Sequence, residues 1–403
     1  MSAPTPFDGS TLFDALKQQP ADALLSLIGL YRDDPRPQKL DLGVGVYRDE
    51  TGATPVLRAV KAAEARLLET QDSKSYLGPE GDIRYTELLQ PIVFGKAVPA
   101  DRLAGVQTPG GTGALRLAAE LIAAAQANGK GAGVKVWLGT PTWPNHAPIM
   151  AAAGLAVATY RYYDQASQTV LFDEMVEALK GAAAGDIVLL HGCCHNPAGA
   201  DLDLDQWRAV ARLVAERGLI PLIDLAYQGL GDGLEEDATG ARLVLDAVPD
   251  ALLAYSCDKN FGVYRDRVGA LYVKAATPAR TELIRSNILS LARANWSMPP
   301  DHGAALVRII LDDAGLTANW RAELDGMRAR INQVRQALAA GDPSLAFLGR
   351  QRGMFSLLPL SGEQVGILRR DHAVYMAGSG RVNLAGLTLA TVPQLIQSLK
   401  AVR

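Results

Sequence analysis

The stretch "DALLAYSCDKNFGVYRDRVGALYV" covers residues 250–273, and its reading decides the fold. Two apolar runs, "ALLAYS" (251–256) and "RVGALYV" (267–273), read as buried strands. Between them, Lys259 stands where the first strand leaves the interior. An asparagine, a Phe-Gly turn and two arginines follow, Arg267 being the second. The rest of the chain has to explain why a lysine and an arginine lie so close at a strand exit.

Outward from this point, short apolar runs alternate with helical patterns from about residue 100 to 275. "VKVWLG" (134–139), "AVATYRYY" (156–163), "DIVLLHG" (186–192) and "IPLIDLA" (220–226) read as further strands. "GALRLAAELIAAAQANG", "FDEMVEALKGA" and "DLDQWRAVARLVAERG" carry apolar residues at helical spacing of three and four. Such alternation predicts an α/β architecture, a mainly parallel sheet with helices on both faces. Ligands then bind at the carboxyl ends of strands, where Lys259, Asp224 and the segment after "DIVLL" all fall. "LTANWRAELDGMRARINQVRQALAAGD" (316–342) predicts one long helix leaving this core. A strand "GMFSLLPL", a helix "SGEQVGILRRDH", another short strand and a C-terminal helix follow in α+β style. The expected division is an arm over 1–15, a small domain from 16–55 and 330–403, and a large domain over 56–329.

Composition narrows the function. The chain has 403 residues, 48% hydrophobic and 21% charged, as in a folded soluble protein. A net charge of −3 gives no electrostatic footprint for nucleic acid or an anionic membrane. No apolar run is long enough to span a bilayer. Three cysteines, Cys193, Cys194 and Cys257, fit a reducing compartment, and "MSAPTPFDGS" has no signal-peptide pattern, so a cytoplasmic location is expected.

Several motifs carry chemistry. In "QTPGGTGALRLAAEL", Gly110, Gly111 and Thr112 precede a strong helix, whose free N–H groups suit a phosphate; an ordinary glycine-rich helix start is the plain alternative. It is neither a Walker loop nor a dinucleotide fingerprint: Arg116 stands where a third glycine belongs, and no strand is expected immediately before it. In "LIDLAYQGL", Asp224 can cap a helix or hold a cationic ring nitrogen, with Tyr227 three residues on. "HGCCHNPAGADL" gathers His191, Cys193, Cys194 and His195, but four ligands in five residues converge poorly on one tetrahedral ion, so no metal is expected. "PTWPNH" offers Trp143 as a packed side chain or as a platform for a heteroaromatic ring, with His146 beside it. Arg381 in "SGRVNLAGL" is a surface arginine or a bidentate carboxylate clamp. Together these supply a lysine nucleophile, a phosphate cradle, a carboxylate for a ring nitrogen, an aromatic platform and a carboxylate clamp. That set describes pyridoxal 5'-phosphate with an amino acid substrate.

The sequence also resembles the class I aminotransferases, closest to the bacterial aspartate and aromatic amino acid enzymes. The resemblance runs through "KLDLGVGVYRDETGATPVL", "YLGPEG", "QTPGGTGAL", "PTWPNH", "HNPAGADL", "DLAYQG", "SCDKNFGVYRDRVG", "RANWSMPPDHGA", "QRGMFS" and "SGRVNLAGL". It implies a fold-type I transferase acting as a homodimer with shared active sites. By resemblance, Lys259 is the Schiff-base lysine, and Asp224 partners the pyridine nitrogen with His146 behind it. Tyr227 and Asn196 bond the ring oxygen, and Trp143 stacks on the ring. Gly110, Gly111, Thr112, Ser256 and Arg267 form the phosphate site, which Tyr76 reaches from the neighbouring subunit. Arg381 clamps the substrate α-carboxylate, helped by Asn196, Trp143 and the backbone of Gly45. Phe355 of "QRGMFS" joins the substrate pocket, and Arg293 binds a distal carboxylate from the neighbouring subunit. Asp258 departs from the pattern, since serine is frequent beside the lysine. Gly110 replaces a serine of many aspartate enzymes, and Trp296 and Met298 also differ from the common residues.

The implied reaction moves the amino group of aromatic amino acids, aspartate or both to 2-oxoglutarate by a ping-pong path. A strict aspartate aminotransferase is the near alternative. A lyase or decarboxylase on the same scaffold is the more distant one, because fold does not fix chemistry. Two carboxylate clamps, Arg381 and Arg293, argue against it. A regulator built on this fold is a third rival, and neither chain end has room for a DNA-binding module.

Overall fold

The computed structural model describes residues 12–19, 23–96, 98–127 and 133–403. Most of the expected arm therefore lies outside the described residues, which begin with a 3₁₀ turn, Leu12–Ala15.

A seven-stranded sheet forms the centre. Its strands are β1 (Leu103–Pro109), β2 (Lys135–Thr140), β3 (Ala156–Arg161), β4 (Ile187–His191), β5 (Ile220–Leu225), β6 (Ala251–Ser256) and β7 (Val268–Lys274). They run in the order β1-β7-β6-β5-β4-β2-β3. Only β7 is reversed, antiparallel to both β1 and β6. Along β6, Leu253 and Tyr255 join one apolar core while Leu252 and Ala254 join a second. Burial on both faces is why "ALLAYS" reads as an unbroken apolar run and not as an alternating one.

Three expectations need correction. A strand does immediately precede the glycine-rich helix: β1 ends at Pro109 and the helix Gly110–Ala127 begins at once. "LAGVQTP" hides it, because glycine, glutamine and proline dilute the β signal. Gly105 is there to make room: a Cβ on it would stand 2.7 Å from Cε1 of Tyr272, its partner on β7. Buried Gln107 is satisfied by donating to the Pro300 carbonyl at 2.6 Å and accepting from the Asp82 N–H at 2.8 Å. Second, "AVATYRYY" is two elements: β3 stops at Arg161, and Tyr163–Asp164 pairs with Thr169–Val170 in a separate hairpin. Third, "GMFSLLPL" contributes only Phe355–Leu357 as strand, paired with Arg381–Asn383.

The long helix forms as Ala314–Gly341. A third apolar core joins Leu40 and Leu42 to Val334, Leu338, Leu345 and residues up to Leu399. The pairing of Leu40–Asp41 with Val374–Tyr375 ties the two chain ends together. Inside this layer, buried Arg335 donates to the carbonyls of Gly353, Arg352 and Phe355, which fixes the turn that presents Phe355. Among the described residues, no helix is long and apolar enough to cross a membrane.

Candidate active site

The carboxyl ends of β4, β5 and β6 open on one cavity of about 210 Å³. Register sets its floor, since His191 ends β4 opposite Asp224 on β5. Lys259, Asp224, Tyr227, Asn196, Trp143, Gly111, Thr112, Ser256, Arg267, Gly45, Phe355 and Arg381 all line it, so sequence-distant candidates meet in one place.

Asp224 is held by a relay. His146 Nε2 lies 3.0 Å from Asp224 Oδ2, and His146 Nδ1 lies 2.7 Å from the Thr142 hydroxyl. A carboxylate only accepts, so Nε2 carries the proton and Nδ1 accepts from Thr142. Burial pushes the Asp224 carboxyl up, but the hydrogen bond from His146 and the charge of Lys259 oppose it, and the group is held below its ordinary value. Asp224 therefore stays anionic in a buried place, as a partner for a ring cation must.

Burial lowers the Lys259 amine below the usual lysine range, against the charges of Asp258 and Asp224. A depressed amine is a better nucleophile and base near neutral pH. Its Nζ lies 5.2 Å from the centroid of the Tyr227 ring. Asn196 Nδ2 approaches the Tyr227 hydroxyl at 3.4 Å.

At the other end of the cavity, Arg381 Nη2 donates to the Gly43 carbonyl at 2.9 Å, and its guanidinium lies 4.8 Å from the centroid of the Phe355 ring. Gly45 is needed there, because a Cβ on it would meet Phe355 Cζ at 2.8 Å. The phosphate candidates sit at the start of the helix Gly110–Ala127. Gly110 has φ +69° and turns the chain from β1 into the helix, although its own atoms do not line the cavity.

Tyr76 and Arg293 are not brought to this cavity within one chain. Tyr76 is 93% exposed, and the Arg293 guanidinium bonds the Ser297 hydroxyl on its own segment. Met298 accepts from the Leu77 N–H, one residue from Tyr76, so the two candidate regions do adjoin.

Sequence reasoning missed two partners. Thr142, in the same loop as Trp143, orients His146. Asp258 pairs with Arg267 at 2.5 Å. The four candidate ligands of the Cys-His segment divide between two places. His191 and His195 pack ring against ring at 4.1 Å, whereas Cys193 and Cys194 gather with Asp237. The Asp237 carboxylate is already taken by the N–H groups of Gly229, Gly231 and Asp232.

The cavity suits pyridoxal phosphate. Buried Asn196 Oδ1 and Arg381 Nε find no hydrogen-bond partner among the described residues, so a polar ligand would satisfy groups that are costly to leave bare. A Cβ on Gly111 would stand 3.0 Å from Ser256 Cβ, and one on Gly110 would stand 2.6 Å from Arg267 Nη2. Glycine at both positions thus keeps open the gap between a helix N-terminus and a guanidinium, where an anion is stabilised.

This fold and cavity define an enzyme that works through a bound pyridoxal group. Residues 37–399 match the model of the family "Aminotransferase class I and II", and the chain belongs to that family. It is 56% identical over 388 residues to the tyrosine aminotransferase of Rhizobium meliloti (strain 1021), covering 95% of this chain and 98% of that one. It is 44% identical over 401 residues to the aspartate aminotransferase of Escherichia coli (strain K12), covering 97% of this chain and all of that one (100%). The crystal structure of the aromatic-amino-acid aminotransferase from Burkholderia pseudomallei, covalently bound to pyridoxal phosphate, superposes with a TM-score of 0.93 at 36% identity, covering 98% of this chain and 100% of that one. The protein is an aminotransferase of fold type I, and its cofactor is pyridoxal phosphate.

Proposed function

We propose that the enzyme moves the amino group of aromatic amino acids and of aspartate to 2-oxoglutarate by a ping-pong path. The observation that carries this reading is one cavity holding a depressed buried lysine, an anionic Asp224 and the Arg381 guanidinium. The names of the relatives, tyrosine and aspartate aminotransferases alike, support both substrate classes.

Bound here, pyridoxal phosphate supplies an aldehyde carbon that takes the amino group and an electron-poor ring that draws the electron pair released at the substrate α-carbon. Asp224 keeps a proton on the ring nitrogen, with Thr142 and His146 fixing its orientation. Lys259 Nζ takes the α-proton and returns it on the other side of the transfer, as general base and then acid. Tyr227 and Asn196 bond the ring oxygen, and Trp143 stacks on the ring. Gly110, Gly111, Thr112, Ser256 and Arg267 receive the phosphate. Arg381 holds the α-carboxylate, with Asn196, Trp143, Gly45 and Phe355 shaping the space around it.

Tyr76 and Arg293 serve the neighbouring subunit of a homodimer, Tyr76 at the phosphate and Arg293 at a distal carboxylate. Their exposure and their adjoining segments support that assignment. The chain divides into a small domain, 16–55 with 330–403, and a large domain over 56–329. The third apolar core, which gathers both chain ends, supports this division. A cytoplasmic location fits three free, buried cysteines.

A half-reaction tests the reading. Holoenzyme mixed with phenylalanine or aspartate and no acceptor should release one equivalent of the matching 2-oxo acid and stop. Adding 2-oxoglutarate should then yield one equivalent of glutamate. Release of carbon dioxide, or of ammonia without a stop, would assign the site to a different chemistry.

A further inference from the structure

The arginine assigned to the cofactor phosphate already holds a carboxylate. Asp258 is 2% exposed. Its Oδ2 lies 2.5 Å from Arg267 Nη1, and its Oδ1 accepts from the Val268 N–H at 3.1 Å. Its own N–H donates to the Ser256 hydroxyl at 3.3 Å. A Cβ on Gly110 would stand 2.6 Å from Arg267 Nη2 and 3.2 Å from Asp258 Oδ2. The ion pair thus faces the same gap that the two glycines keep open, and Asp258 itself lines the cavity.

A phosphate monoester carries its second negative charge above a pKa of about 6. Like charges within about 4–6 Å in a buried site force one of them to be neutralised. We propose that Asp258 is a resident counter-ion of the phosphate site, which yields Arg267 to the cofactor phosphate and takes a proton from solvent as it does so. Cofactor loading is thereby coupled to uptake of one proton. The proposal rests on the phosphate-site reading given above.

The hydrogen bond from the Val268 N–H and two charged neighbours hold Asp258 ionised. Burial pushes its carboxyl up, and the opposing charges are those of Lys259 and Arg267. Both are groups that the cofactor engages. Tyr264 and Cys257 also face it, but burial raises the Tyr264 phenol to about 12 and pushes the Cys257 thiol up as well, so neither supplies charge near neutral pH. From the helix start, Gly110, Gly111 and Thr112 offer no ionisable side chain. The sign follows directly. A carboxyl whose pKa rises on loading binds a proton between its unloaded and loaded values. Cofactor affinity therefore weakens as pH rises through that interval, by up to about tenfold per unit.

The test uses apoenzyme titrated with pyridoxal phosphate across neutral pH. Absorbance gives the affinity, and calorimetry in two buffers of different ionisation enthalpy gives the proton count. Wild type should take up about one more proton per site than Asp258→Ser or Asp258→Asn, with both variants binding more tightly at the alkaline end. Asn keeps the shape of the side chain, so it serves where serine disturbs the loop. Equal proton counts in wild type and both variants overturn the proposal. Arg267→Gln, titrated with pyridoxal phosphate and with unphosphorylated pyridoxal, separates this failure from that of the phosphate-site reading. A loss confined to the phosphorylated form supports the reading, and an equal loss for both forms sinks it together with the proposal.

Discussion

On the floor of the cavity, His146 is fully buried and bonded both to Thr142 and to Asp224, which is itself 8% exposed. At the candidate rim, Tyr76 is 93% exposed, and Arg293 bonds the hydroxyl of Ser297 on its own segment. The floor is made by strand ends of one sheet, so a single chain completes it. Among the described residues, Tyr76 and Arg293 do not line the cavity of their own chain, and the proposed function gives them their task against a second subunit. On the proposed assignment, chemistry and substrate choice are built by different means, and substitutions in the two regions should fail in different ways.

Floor substitutions should remove chemistry for every substrate alike. Lys259→Ala has the largest expected effect: a folded protein without multiple turnover, because among the described residues no other amine lines the cavity. Borohydride should fix cofactor covalently to the wild type and not to the variant, and normal turnover by the variant would end the assignment. Asp224→Ala comes next. The ring nitrogen loses its anionic partner, and removal of one preorganised electrostatic partner commonly costs about 10²–10³ in rate. Cofactor should still bind. A half-reaction near the wild-type rate, followed spectroscopically, would make Asp224 merely structural.

The same contrast explains what the sequence disclosed. β6 and the floor were legible because strands buried on both faces make unbroken apolar runs, and polar residues at their ends stand out against them. β1 was not, because Gly105 serves the Tyr272 ring and Gln107 serves two backbone groups, so tertiary needs replaced the apolar signal. The Asp258–Arg267 pair stayed hidden for another reason. Residues nine apart meet only because β7 folds back on β6, and adjacency to Lys259 suggests nothing about Arg267. At the rim, no spacing or composition marks Tyr76 or Arg293, and resemblance alone pointed to them.

Rim substitutions should discriminate between substrates. On the proposed assignment, Arg293→Leu removes a charged contact to a distal carboxylate, and hydrogen bonds to charged groups contribute about 1.5–3 kcal/mol. Aspartate should therefore lose on the order of tenfold to a hundredfold in kcat/KM. Phenylalanine should change little, because its one carboxylate belongs to Arg381. Trp296 and Met298 follow Arg293 closely, and the adaptable Met298 suits a pocket that accepts rings as well as carboxylates. Equal losses for aspartate and phenylalanine, measured side by side, would mean that Arg293 does not read the distal group.

The smallest effect is the sharpest test of the comparison itself. If the rim of each cavity comes from the second subunit, Lys259→Ala and Arg293→Leu damage different sites within a mixed dimer. The site whose floor comes from the Lys259→Ala subunit takes its rim from the Arg293→Leu subunit and is damaged twice. The other site takes an intact floor from one subunit and an intact rim from the other. Separately, each homodimer should be poor with aspartate. The purified hybrid, made with two affinity tags, should regain about half the wild-type aspartate activity per dimer, because one site of two is whole. If each chain instead built its own rim, one site would lack its lysine and the other its arginine, and no site would be whole. A verified hybrid without regained activity would therefore move Arg293 back to its own cavity and erase the distinction between a floor made by one chain and a rim made by two.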